Sequence, residues 1–158
     1  MTSDDITIHR GLTGVYFDRS ATTFIDGKNG VLEYRGYNIN QLAEHSTFEE
    51  TGYLLIHGKL PTQAELNDFD AELKAARELP EQVFDVLELV KDSHPMDALR
   101  TAVSALASFD EDRNDNSPEA TIRKGNRLTS QVPSIVMAHH NIRQGKDPIK
   151  PSTVLNHA

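Results

Sequence analysis

Cysteine, long apolar runs and positive charge are all scarce or absent in this chain. Its 158 residues include no cysteine, which excludes disulfide bonds, thiolate zinc sites and a thiol nucleophile. That absence fits a reducing compartment, and we expect a cytoplasmic protein. No apolar run approaches the roughly 20 residues that cross a bilayer, so no membrane span is expected. The chain contains 16 Lys and Arg but 24 Asp and Glu, which gives a net charge of −8. A charge of this sign disfavours nucleic-acid binding.

Recognisable catalytic motifs are also missing. The sequence contains no G-x-S-x-G, no P-loop and no G-x-G-x-x-G. It therefore gives no support for the nucleophile turn of an α/β-hydrolase or for a glycine-rich phosphate-binding loop. Of the seven histidines, only His139 and His140 are adjacent. Neighbours on a helix point about 100° apart, so one of the pair should lie on the apolar face and the other away from it. No metal site is expected. His94, just before Pro95, suits a helix cap.

One basic residue near the N-terminus is a candidate for a phosphate contact. Arg10 lies next to Gly11 and near Gly14, in a compact segment punctuated by glycine. A guanidinium can bind a phosphate through two parallel hydrogen bonds. The residues by themselves favour a plain surface arginine over a phosphate contact.

The pattern predicts a small β-hairpin followed by helices. Residues 13–37 are strand-like, with 22–25 and 31–34 flanking a turn that is rich in Asp, Gly and Asn. Helical periodicity covers about 40–158, which makes the chain all-α apart from the hairpin. Caps, glycines and prolines divide this part into helices at about 40–44, 46–58, 61–79, 83–93, 95–109 and 118–145, with a further helix beginning at 151.

The helix over 95–109 carries two faces of apolar or small residues. One is a stripe of larger side chains and the other a row of alanines: Met96, Leu99, Val103 and Leu106, then Ala98, Ala102 and Ala105. A helix buried on one side needs only one such face. The pattern therefore predicts either a central core helix or a helix that also contacts a second subunit.

Several segments resemble the N-terminal part of the citrate synthase family in its bacterial form. The similar segments, in order, are Gly11–Val15, Ile25–Gly27 with Gly30–Tyr37, Leu42–Ala43 with Ser46–Glu50, Tyr53–Thr62, and His94–Asp97 with Leu99–Leu106. The resemblance covers essentially the whole chain. It implies a multi-helical fold and assigns 1–158 to an incomplete large domain that lacks the family's small domain.

The resemblance also implies an activity and a partner. Family members condense acetyl-CoA with oxaloacetate to give citrate and CoA, with no tightly bound cofactor, and are homodimers. An aspartate removes the methyl proton and a histidine hydrogen-bonds the forming enol. Those catalytic residues lie downstream in the family, so none is expected here and this segment alone should be inactive. The dimer contact is expected at about 95–109 and 118–144. Arg10 aligns with a position that can contact CoA phosphates.

Two alternatives stay open. Close relatives in the family use propionyl-CoA to make 2-methylcitrate, and the pocket that selects the acyl chain is not part of this sequence. A chain that truly ended at Ala158 would instead be a non-catalytic helical protein that makes dimer contacts.

Overall fold

A computed structural model describes residues 9–16 and 18–157. It is 53% helical, as the all-α prediction requires, and its described part contains six α-helices after a short 3₁₀ turn at Arg10–Leu12 and a small sheet. The helices are α1 (Ile39–His45), α2 (Phe48–His57), α3 (Gln63–Ala75), α4 (Glu81–Leu89), α5 (Pro95–Leu106) and α6 (Pro118–Ile142).

The predicted hairpin is present and gains one short strand. Strands β1 (Thr23–Asp26) and β2 (Val31–Tyr34) pair antiparallel, and β3 (Tyr37–Asn38) adds to the other edge of β2. The Asp26 carboxylate stabilises the turn by accepting hydrogen bonds from the backbone N–H groups of Lys28 and Asn29, both at 3.1 Å. The sheet thus begins the fold and leads directly into α1.

Helices α2 and α3 begin with the caps that the sequence supplies. The side chains of Thr47 and Thr62 each accept from the backbone N–H three residues later, and Glu50 and Glu65 reach back to the cap residues. Each arrangement is a capping box, which satisfies two otherwise unpaired N–H groups. Helix α2 ends at Gly58, whose φ of 78° is left-handed and easiest for glycine.

The main core lies between α4, α5 and α6. Its buried side chains are Val83, Leu87, Ala102, Leu106, Ile135, Ala138 and Ile142. On α5, Ala98 and Ala102 are both 0% exposed and Leu106 of the larger stripe is 6% exposed, whereas Met96 is 62% exposed. Helix α5 is therefore part of the core, where its small residues allow close packing, and its contact with a second subunit stays a prediction.

Residues 151–157 contain no helix, so the prediction of a further helix from 151 is wrong over these residues. The Ser152 hydroxyl accepts hydrogen bonds from the N–H groups of Val154 and Leu155, at 3.2 and 3.1 Å. The carbonyls of Ser152 and Leu155 accept instead from Arg77. These contacts hold the backbone in a turn, because local side-chain bonds of serine compete with helical ones.

Candidate functional site

Arg10 lies in the short 3₁₀ turn, with an exposed side chain. The turn is tight: the backbone φ of Gly11 is 64° and that of Gly14 is 77°. The Thr13 hydroxyl donates to the Arg10 carbonyl at 3.2 Å. Within residues 9–16 and 18–157 the guanidinium forms no ion pair. Its contact with CoA therefore stays a prediction.

The histidines occupy structural positions. His94 caps α5, with Nδ1 accepting from the Met96 N–H at 3.2 Å, as predicted. His139 is 5% exposed and faces the core, whereas His140 is exposed and pairs with Gln144 at 3.0 Å. The described residues contain no group of three or more His, Asp or Glu side chains that could hold a metal ion.

A cavity of about 330 Å³ lies between α6 and the segment 149–157. Arg77, only 8% exposed, lines it beside Ser130 and Ser134. The guanidinium Nη1 donates to the carbonyls of Ser152 and Leu155, at 2.6 and 2.8 Å. The Ser134 hydroxyl donates to the Arg77 carbonyl at 2.9 Å. This buried arginine therefore fixes the segment 149–157 against the helices.

His157 lines the same cavity. Its ring stacks on Phe48 with a centroid separation of 4.4 Å, and its backbone N–H donates to the Glu49 carboxylate at 2.7 Å. Burial, and then the positive charge of Arg77, lower the pKa of His157, against the opposing charge of Glu49. Burial and Arg77 therefore both disfavour the protonated imidazole.

An ion network ties α6 to the loop that precedes it. Arg127 donates to the carboxylates of Asp110 and Asp112, both at 2.7 Å, and Arg123 donates to Asp112 at 2.6 Å. Hydrogen bonds from Arg123 and then Arg127 hold the pKa of Asp112 well below its usual range. The acidic loop at 110–117 is therefore structured around two arginines.

A second low pKa marks the start of α3. Hydrogen bonds from Lys59, first, and from Thr62 lower the pKa of Glu65 to about 2. The Lys59 Nζ lies 2.7 Å from the carboxylate of Glu65. Glu65 belongs to the capping box of α3 and Lys59 lies on the chain that leads into this helix, so the pair is structural.

Comparison with known proteins shows which family the chain belongs to. The family model described as "Citrate synthase, C-terminal domain" matches residues 11–158. The chain belongs to the citrate synthase family. The resemblance predicted from the sequence is confirmed.

Relatives and solved structures agree with this membership. A citrate synthase of Synechocystis is 40% identical over 159 aligned residues, which cover 100% of this chain and 40% of that protein. A citrate/2-methylcitrate synthase of Bacillus subtilis is 33% identical, over 94% of this chain and 40% of its own length. The crystal structure of citrate synthase from Pyrobaculum aerophilum superposes with a TM-score of 0.89 at 35% identity, covering 96% of this chain and 40% of that one.

The same alignments give the share of a family member to which this chain corresponds. The chain spans about 40% of the length of the relatives that it matches.

None of the helices in the described part is sufficiently long and apolar to cross a membrane.

The cavity beside Arg77 was not anticipated from the sequence. A signal was present: Arg77 follows Phe69 and Leu73 at steps of four, which places it on the buried stripe of α3 extended by one turn. Its partners in 149–157 carry no comparable pattern, because they are backbone carbonyls more than 70 positions away.

Proposed function

We propose that this chain is the N-terminal part of the large domain of a citrate synthase, which condenses acetyl-CoA with oxaloacetate to give citrate and CoA. The observation that carries the proposal is a citrate synthase 40% identical across 100% of the chain. The whole protein would be a cytoplasmic homodimer with no tightly bound cofactor. The catalytic aspartate and histidines would lie outside this sequence.

The part proposed for Arg10 is to bind a CoA phosphate. Its exposure and its place in a tight glycine turn support this, because a fixed backbone next to a free guanidinium favours binding of a phosphate. This role predicts a higher KM for acetyl-CoA in Arg10→Gln, with a much smaller change in kcat.

The experiment is to sequence the reading frame beyond both ends and to assay its product with acetyl-CoA and oxaloacetate, following release of the free CoA thiol. A product more than twice 17.6 kDa that forms citrate is expected. A full product of about 17.6 kDa that releases no CoA would overturn the proposal and favour a non-catalytic helical protein.

A second candidate is a 2-methylcitrate synthase, which uses propionyl-CoA. It is favoured by the similarity to the citrate/2-methylcitrate synthase of Bacillus subtilis, at 33% identity. The same assay with each acyl-CoA separates the two, because the larger kcat/KM identifies the preferred acyl chain.

Exposed apolar side chains support the proposed dimer contact of α5 and α6. Met96 on α5 is 62% exposed, and Val136 on α6 is 47% exposed. Met96→Glu combined with Val136→Glu should shift sedimentation of the whole protein toward monomer, whereas Leu89→Glu, at an exposed apolar residue on α4, should not. Unchanged dimerisation in the first variant would refute this surface.

A further inference from the structure

The charged side chains that line the cavity between α6 and 149–157 are basic, although the protein as a whole is acidic. The chain carries a net charge of −8, yet no Asp or Glu lines the cavity, while Arg77, Lys150 and the imidazole of His157 do. Serine hydroxyls from Ser130, Ser134 and Ser152 complete its polar part. A pocket lined by cations and hydroxyls within an acidic protein is a place where an anion, and not a cation, is stabilised.

Arg77 forms no ion pair among the described residues. None of their carboxylates lies within 4 Å of its guanidinium, whose hydrogen-bond acceptors are the carbonyls of Ser152 and Leu155. Its Nη2 is buried and has no hydrogen-bond partner there. A buried charge is costly unless it is paired, so an anion near Arg77 would remove an existing cost.

The rest of the lining is apolar. Met137, Ile149 and Leu155 border the cavity, and its volume of about 330 Å³ lies in the roughly 300–1,000 Å³ range of small-molecule sites. A bare ion would leave much of this space empty. The occupant that fits both parts carries one anionic group and a short hydrocarbon tail.

We propose that this cavity binds a small organic anion, with its carboxylate or phosphate group near Arg77 and Lys150 and its tail against Met137, Ile149 and Leu155. The site is separate from Arg10 and does not depend on the proposed synthase activity. Binding of an anion there would also change the titration of His157, because a negative charge beside this imidazole offsets the positive charge of Arg77, which disfavours its protonation.

The test is a histidine NMR titration of the whole protein that contains this chain, with butanoate, butyl phosphate and the uncharged 1-butanol at constant ionic strength. The His157 resonance is assigned by its loss in His157→Gln. We expect at least one of the two anions to shift this resonance saturably and to raise its pH midpoint, whereas 1-butanol should do neither. The anion that binds identifies the charged group as carboxylate or phosphate.

Lys150 allows a variant that keeps the buried contacts intact. Because Lys150 is exposed, Lys150→Gln should fold normally and weaken the anion's Kd by up to about fivefold, the effect of one partly screened charge. Lys28→Gln, which removes an exposed lysine from the hairpin turn, is the matched control and should leave Kd unchanged. A linear shift without saturation, equal binding of 1-butanol, or equal Kd values in the two variants would overturn the proposal.

Discussion

Two leucines on α4 provide a direct test of the packing described above. Leu87 is 0% exposed in the core between α4, α5 and α6, whereas Leu89, two positions later on the same helix, is 85% exposed. The substitution to alanine removes the same atoms at both sites, and both leucines lie in the last turn of α4. The difference in unfolding free energy between the two variants therefore measures mainly the burial of Leu87.

The expected magnitude follows from the buried position. Leu87→Ala should lower the free energy of unfolding by about 2–5 kcal/mol, from lost burial and the cavity left behind. For a chain of this size this corresponds to a melting temperature lower by about 4–20 °C. Leu89→Ala should change stability by less than about 0.5 kcal/mol.

The assay is urea and thermal unfolding of both variants, followed by circular dichroism at two protein concentrations. The urea m-value should stay constant, because the surface exposed on unfolding hardly changes. Equal destabilisation by the two variants, independent of concentration, would refute the described packing of α4. A loss in Leu89→Ala that grew on dilution would instead place Leu89 in an interface between subunits.

Three further changes test other parts of the molecule. Asp112→Asn should reduce stability near neutral pH and make the melting temperature depend less on pH in the acid range. The folded pKa of Asp112 is depressed, so the stabilisation that this carboxylate gives above its unfolded pKa of about 4 is lost as pH falls below that value. Thr47→Ala removes the capping box of α2 and should cost about 0.5–2 kcal/mol, measured by chemical denaturation, with no loss expected if the cap is unimportant. The 158-residue chain should release no CoA from acetyl-CoA and oxaloacetate, and any turnover above a heat-treated control would contradict the assignment of catalysis to residues outside it.

Most of the helix boundaries were predictable because their signals are local. A cap residue with a glutamate three positions later, a glycine at the end or a proline at the first position defines α2, α3 and α5 within a few neighbouring residues. The hairpin was predictable for the same reason, since its turn residues and flanking strands are adjacent.

The environment of 149–157 could not be predicted in this way. Pro151, Ser152 and the apolar residues after them are typical of a helix start, but their conformation depends on hydrogen bonds from a distant arginine. The candidate Arg10 was found through a family resemblance and its glycine neighbours. The Arg77 cavity depends on which elements meet in space, which no local pattern reports.

The hydrogen bond from the His157 N–H to Glu49 joins residues 108 positions apart, and those from Arg77 span 75 and 78. The pairs β1–β2 and α4–α5 need only short loops, so they can form while the chain is still being synthesised. The segment 149–157 can dock only after all six helices have left the ribosome, and closing so long a loop costs entropy that local contacts avoid. Within this part of the chain, its docking therefore comes later than the pairing of β1 with β2 and of α4 with α5, and until then the Phe48 ring and the α6 side of the cavity stay open to solvent.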